Sequence, residues 1–250
     1  MTEGKREILI LVEGEKTDVR LMEHLLHMYG IDNRHTIVSY HTNIYVLYQQ
    51  MFAGGDPASM DLLDLLRERE PDPVKKELFN KRYSDILLIF DLDPQDPMFS
   101  PEKIKEMADY FVESSDMGKL YLNYPMVEAF YHMGAIPDPD YEQRTASLDE
   151  LKAGTYKQRV YVKNRNHDYT KFATDKQECT TVIAQNMKKV WHMLGTQQSD
   201  AYPPQTAEIL ERQLSYLQEQ NWIHVLCTCA FYIADYNPEL LRVHDGTPSI

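Results

Sequence analysis

The chain has 250 residues, 43% hydrophobic and 26% charged, with 39 acidic side chains against 26 basic ones, for a formal charge of -13. This length and the 11% of aromatic residues point to a folded protein, one large domain or a core with an appendage, and exclude a disordered chain. No stretch approaches the ~18 uninterrupted apolar residues of a membrane helix. A chain this acidic also repels a phosphate backbone unless a local basic patch, a metal or a positive partner intervenes, so passive nucleic-acid binding is excluded.

The opening MTEGKREILILVEGEKT runs straight into a charged, strand-like segment and does not read as a signal peptide. Cys179, Cys227 and Cys229 are an odd number of thiols, which argues against a disulfide framework and for the cytoplasm. Residues 7–12 (EILILV) form a short apolar run of the kind expected for a strand buried on both faces. Residues 16–29 carry apolar side chains at Val19, Met22, Leu25, Leu26 and Tyr29, a helical spacing that Gly30 terminates. A weaker strand over 35–40, a helix over 42–52, a turn at GGDP and an amphipathic helix over 59–70 follow. The second clear strand is 85–90 (DILLIF), and a helix over 101–112 has Ser100 as N-cap and Pro101 at its first position. Residues 119–122 read as a third short strand and 126–133 as a helix. Strands separated by helices predict an α/β fold with a mainly parallel sheet, whose ligands sit at the C-terminal strand ends.

Past residue 135 the texture changes. AIPDPDYEQ reads as a linker or surface loop, residues 156–176 are basic with interleaved aromatic rings, and helices are expected near 175–194, 205–220 and 222–235. The chain thus divides into an α/β domain over 1–135, with a helical insertion at about 57–82, and a region over 136–250 made of the basic segment and a mostly helical C-terminal part.

The chemistry concentrates at the ends of the two best strands, where Glu13 follows one and Asp91 and Asp93 follow the other. A carboxylate at the end of a buried strand is costly unless something positive satisfies it. Aspartates at i and i+2 of an extended chain point the same way, and with a glutamate from a neighbouring strand they offer hard oxygens to Mg²⁺. Such a cation can polarise a phosphoryl oxygen or generate a hydroxide nucleophile. The same acids also fit solvated loop positions or caps of the following helices. Glu128 and His132 lie four apart, so a helix over 126–133 puts them on one face, as an acid and a base near the metal or as a plain structural pair. Lys157, Arg159, Lys163, Arg165 and Lys171, beside Tyr156, Tyr161, Tyr169 and Phe172, have the composition of a nucleic-acid contact or of a solvated face. Asn123 and Tyr124, just past a strand, are placed to touch a ligand or to make the turn. Gly14-Glu15-Lys16-Thr17 is not a phosphate-binding loop, because Leu9 stands where the upstream glycine is required. His224, Cys227 and Cys229 are too few for a structural zinc site and read as buried small residues.

The strings ILILVEGEKTDVRLMEHLL and ILLIFDLDPQD, with YPMVEAFYH after them, resemble the Toprim domain. The resemblance is closest to its RloB-like and overcoming-lysogenization-defect nuclease branches, and it covers residues 7–135. It implies that Glu13, Asp91 and Asp93 hold Mg²⁺ or Mn²⁺ for phosphodiester cleavage, with Asp18 as a second-metal ligand and Glu128 in the catalytic set. It also implies a nuclease acting on DNA or RNA in prokaryotic anti-phage defence, working as a homo-oligomer or with a partner ATPase or other defence protein. A lysine that some relatives use in catalysis is open between Lys157, Lys163 and Lys171. Two other readings stand beside it. One is a Toprim-like module that binds metal, nucleotide or a partner without cleaving. The other, weaker one is a haloacid-dehalogenase-type phosphatase, which Gln95 and the late position of the Asp-x-Asp pair disfavour.

Overall fold

The apolar runs that alternate with helices along the first half pair into one parallel sheet. The computed structural model describes residues 7–115, 117–196 and 203–242. Strand β1 (Ile8–Val12) is buried along its whole length, as a strand covered on both faces must be. It pairs in parallel with β2 (His35–Ser39) on one side and with β3 (Asp85–Asp91) on the other, and β3 pairs in parallel with β4 (Lys119–Asn123). The order is therefore β2-β1-β3-β4. In this register Val12 stands opposite Ser39 and Ile89, and Asp91 opposite Asn123. The chain adds β2 on one side of β1, then returns to add β3 on the other. Such a reversal opens a crevice beyond the carboxyl ends of the two strands, and it is where open α/β sheets hold ligands.

Helix α1 (Thr17–Met28) follows β1, and α2 (Ile44–Met51) follows β2, begun by the Val46 N–H donating to the Asn43 side chain. The expected insertion contains α3 (Leu62–Arg69) and the single turn α4 (Pro73–Lys76), capped by Asp61 and Asp72. Helix α5 (Pro101–Tyr110) starts at Ser100 as its sequence requires. In the second half come β5 (Thr145–Ser147), α6 (Leu148–Lys152), α7 (Tyr156–Lys163), α8 (Lys176–Leu194), α9 (Thr206–Gln220), β6 (Trp222–His224) and α10 (Tyr232–Tyr236). This half is built onto edge strand β4. Tyr124 and Leu226 exchange backbone hydrogen bonds of 2.8 Å, and the Thr228 hydroxyl donates to the Leu122 carbonyl at 2.7 Å. Buried side chains of both halves belong to one apolar cluster.

Two segments depart from the periodicity reading, and a third decides between its two alternatives. Residues 126–133 do not form an α-helix; a 3-10 turn, Val127–Tyr131, stands there with all five residues buried. A segment enclosed on every side has no solvent face to keep, and a tight short turn suffices. Residues 222–235 are not one helix either. Asn221 ends α9 in the left-handed region at φ 60°, and Trp222–His224 then pairs antiparallel with β5. Finally, of the two readings of AIPDPDYEQ the surface loop holds, since most of its residues are exposed while Asp138 and Tyr141 anchor it. The Tyr141 ring is fully buried, its hydroxyl donates to Asn186 at 2.6 Å, and the Lys189 ammonium donates to its carbonyl at 2.9 Å. Among the described residues, no helix is long and apolar enough to cross a membrane.

Leu88 sits fully buried in β3, between β1 and β4. Leu88→Ala is expected to lower unfolding free energy by about 2–5 kcal/mol in urea titration; a loss below about 1 kcal/mol would show that β3 is not the centre of the core.

Candidate metal centre

The acidic residues reach one place because the ladder carries them there. The Glu13 N–H donates to the Ile89 carbonyl at 3.0 Å, which extends β1 by one residue, and Glu13 Oε2 accepts the Asp91 N–H at 3.1 Å. Asp91 closes β3 beside Asn123, the last residue of β4, whose Nδ2 donates to Asp91 Oδ1 at 3.3 Å. Asn123 is itself fixed, since its Oδ1 accepts the Cys229 N–H at 3.3 Å. Two residues on, Asp93 has φ 40°, a left-handed conformation uncommon for a side chain with a Cβ. Three bonds hold this turn: Leu92 N–H to the Asn123 carbonyl at 3.0 Å, Asp93 N–H to the Pro125 carbonyl at 3.1 Å, and the Tyr45 hydroxyl to the Leu92 carbonyl. As a result Glu13, Asp91 and Asp93 each present a carboxylate oxygen within 4.8 Å of the others.

Asp18 and Glu128 complete the acidic surround. Asp18 lies in the first turn of α1 and folds back onto Gly14, where a Cβ would stand 2.6 Å from Asp18 Oδ2. Only glycine permits that approach, which accounts physically for the glycine after Glu13. Asp18 and Glu128 are 6% and 5% exposed, and Asp18 Oδ1 and Glu128 Oε2 are buried without a hydrogen-bond partner. The other Glu128 oxygen lies 2.9 Å from the Lys157 ammonium, which reaches in from α7.

The electrostatics follow. Burial, then the Asp93 charge, pushes the Glu13 carboxyl up to about 8, against the opposing Asp91 N–H. Burial, with the Glu128 charge added, lifts Asp18 to about 6. Asp91 is raised well above the carboxylate range by burial and by Glu13, Asp18, Asp93 and Glu128, and burial also raises Asp93. At Lys157 burial works against the ammonium, but the charges of Glu128, Asp91 and Asp93 prevail and raise it. One ammonium thus faces five acids, two of which keep a buried oxygen unpaired. The donor set is all hard oxygen and fits Mg²⁺ or Mn²⁺, not a thiolate-seeking metal. Among the described residues no other trio of His, Cys, Asp or Glu converges in this way, His224, Cys227 and Cys229 included.

Of the residues singled out in the sequence, Glu13, Asp18, Asp91, Asp93 and Glu128 come together. His132 does not join them. In a 3-10 turn the i and i+4 positions diverge, and His132 is instead buried against the Tyr156 hydroxyl at 3.3 Å. Burial and the nearby Arg159 and Arg144 drive its pKa down to about 2. The basic segment splits. Lys157 enters the centre, while Arg159 pairs with Glu150 at 2.7 Å and Arg165 with Glu178 at 2.6 Å. Lys163 is exposed, and Lys171 is exposed beside Asp168 at 3.5 Å. Sequence reasoning left Asn123 undecided and missed Tyr45; of these, a polar residue closing a buried strand was a usable signal for Asn123. Comparison with family models, curated proteins and solved structures finds no match for this chain.

Two measurements probe the centre. Glu13 is raised from 4.5 to about 8, so its contribution to stability is complete below pH 4.5 and is lost as pH rises through 8. The depressed His132 does not titrate in that range. Thermal midpoints of the metal-free protein should therefore fall between about pH 6.5 and 9, and the fall should shrink in Glu13→Gln; equal slopes would refute the assignment. Secondly, Mg²⁺ or Mn²⁺ at a hundredfold excess over Kd should stabilise wild type by about 2.7 kcal/mol and leave Asp91→Asn/Asp93→Asn unmoved.

Proposed function

We propose that this chain is a divalent-metal-dependent nuclease that cleaves phosphodiester bonds. The observation that carries the reading is the convergence of Glu13, Asp91 and Asp93 within 4.8 Å, next to buried, unpartnered oxygens of Asp18 and Glu128 and to the Lys157 ammonium. The position of the trio at the strand-order reversal, and the resemblance of residues 7–135 to Toprim nucleases, support it. In this reading Glu13, Asp91 and Asp93 hold Mg²⁺ or Mn²⁺, and Asp18 and Glu128 offer oxygens to a second ion. A bound cation supplies a Lewis acid for the phosphoryl oxygens.

The protein's own groups do the positioning. Asn123 fixes the rotation of the Asp91 carboxylate, and Gln95 donates to Asp93 Oδ1 at 2.9 Å. Lys157 supplies a cation that steadies the scissile phosphate as its charge builds up. Of the three lysines left open, Lys157 at 2.9 Å from Glu128 is the one beside the acids, which supports the catalytic reading over a module that binds without cleaving. Prokaryotic anti-phage defence is the setting that the family resemblance implies.

Glu13→Gln and Lys157→Met should each lower the Mn²⁺-dependent cleavage rate of a labelled DNA and RNA panel by at least about a hundredfold, the effect of removing one group that stabilises developing charge. Lys157→Met should still be stabilised by Mn²⁺. If wild type binds Mn²⁺ and cuts nothing in the panel, the non-catalytic reading takes over.

A further inference from the structure

Helix α7 brings more to the centre than Lys157. Its buried side is Tyr156 and Val160. Tyr161 lies one turn beyond Lys157 on the same helix face, since residues four apart are neighbours on a helix surface. It is 47% exposed, and the adjoining Val162 is 58% exposed. Only Met60, Val74 and Val112 join them as exposed large apolar side chains among the described residues. Isolated exposed apolar residues need no explanation, but two in succession, one turn from the lysine that contacts Glu128, do.

The Tyr161 ring is also held in place. His167 stacks on it with centroids 4.8 Å apart and planes 28° from parallel, and the His167 Nδ1–H donates to the Tyr161 carbonyl at 2.8 Å. Both residues are exposed. A ring fixed on one face and open to solvent on the other is what a nucleobase stacks on. Exposed Lys163 and Lys171 lie in the same segment, and the weak exposed pair Lys171–Asp168 leaves that cation available to a phosphate. This is local positive charge on a chain of net charge -13.

We propose that Tyr161, backed by His167, stacks an unpaired base, so that the substrate of the centre is single-stranded nucleic acid. The proposal rests on the nuclease reading above and specifies its substrate class. A base inside a duplex has both faces covered by its neighbours and cannot take the ring. The burial of the centre argues the same way: Asp91 and Glu128 are nearly covered, and Glu13 and Asp93 are half-buried. A flexible strand can bring a phosphate to these carboxylates while its neighbouring base rests on Tyr161.

The test is binding of fluorescein-labelled oligonucleotides to the full chain by anisotropy, with Ca²⁺ as a hard oxygen-seeking cation and strand integrity checked on a gel. Single-stranded DNA, single-stranded RNA and the duplex of the same sequence are compared. Wild type should bind at least one single strand more tightly than the duplex, and the two single-stranded arms identify the sugar. Tyr161→Ala should weaken that binding between about fivefold and 150-fold, the range for one lost base stack. Tyr161→Phe should keep the binding, and His167→Ala should weaken it less than Tyr161→Ala does. Unchanged binding in Tyr161→Ala, duplex binding as tight as single-strand binding, or no binding of any strand by wild type would each overturn the proposal. Thermal shift with Mn²⁺ on the same proteins separates the failures. Wild type stabilised by Mn²⁺ but blind to Tyr161→Ala sinks the stacking platform alone, whereas absence of stabilisation sinks the metal centre beneath it.

Discussion

Like charges crowded into a place poor in water are the constraint around which this structure is arranged. Glu13, Asp18, Asp91, Asp93 and Glu128 each raise, or have raised, the proton affinity of another, and burial acts with them. Left to themselves, such carboxylates would turn toward solvent. Here each is tied down: Glu13 by the Asp91 N–H, Asp91 by Asn123, Asp93 by Gln95, Asp18 by the Gly14 N–H and Glu128 by Lys157. Holding acids where they are uncomfortable is useful when a cation is to be gripped, because the repulsion between them is relieved on binding.

The parallel sheet supplies the rigidity this needs. Register between β1 and β3 fixes Glu13 against Asp91, and register between β3 and β4 fixes Asp91 against Asn123. The second half then braces the far side of β4 through Leu226 and Thr228 and contributes the Cys229 N–H that holds Asn123. Through α7 it also contributes the Lys157 ammonium. The centre is therefore shared between regions that differ in composition: the acids and the groups that hold them directly come from the first, and the second braces β4 and Asn123 and supplies Lys157.

How much of this could be read from the sequence depended on how local the signal was. Runs such as ILILV and DILLIF announce strands buried on both faces, and acids placed directly after them announce a strand-end site, so the parallel sheet and the Glu13–Asp91–Asp93 trio were both legible. Asp18 was legible only through the family resemblance, and Glu128 through that resemblance and a helical spacing to His132 that the 3-10 turn does not keep. Lys157 could not be told from Lys163 and Lys171, because which lysine of a basic helix faces inward depends on the docking of that helix against a turn far away in the chain. The apolar stretches at 126–133 and 222–235 misled for a related reason. A continuous apolar run is equally consistent with a buried helix, a buried strand or an enclosed turn. Only the partners, β5 for Trp222–His224 and the surrounding core for Val127–Tyr131, decide between them.

That Lys157 comes from α7, well beyond both acidic strand ends, has a consequence for how the molecule comes into being. A ribosome releases Glu13, Asp18, Asp91 and Asp93 before it releases their counter-charge, and Cys229, which steadies Asn123, emerges later still. The nascent chain thus carries an acidic sheet edge that neither its own ammonium nor its bracing has yet reached. Chain order itself delays assembly of the centre until α7 and Cys229 have both emerged.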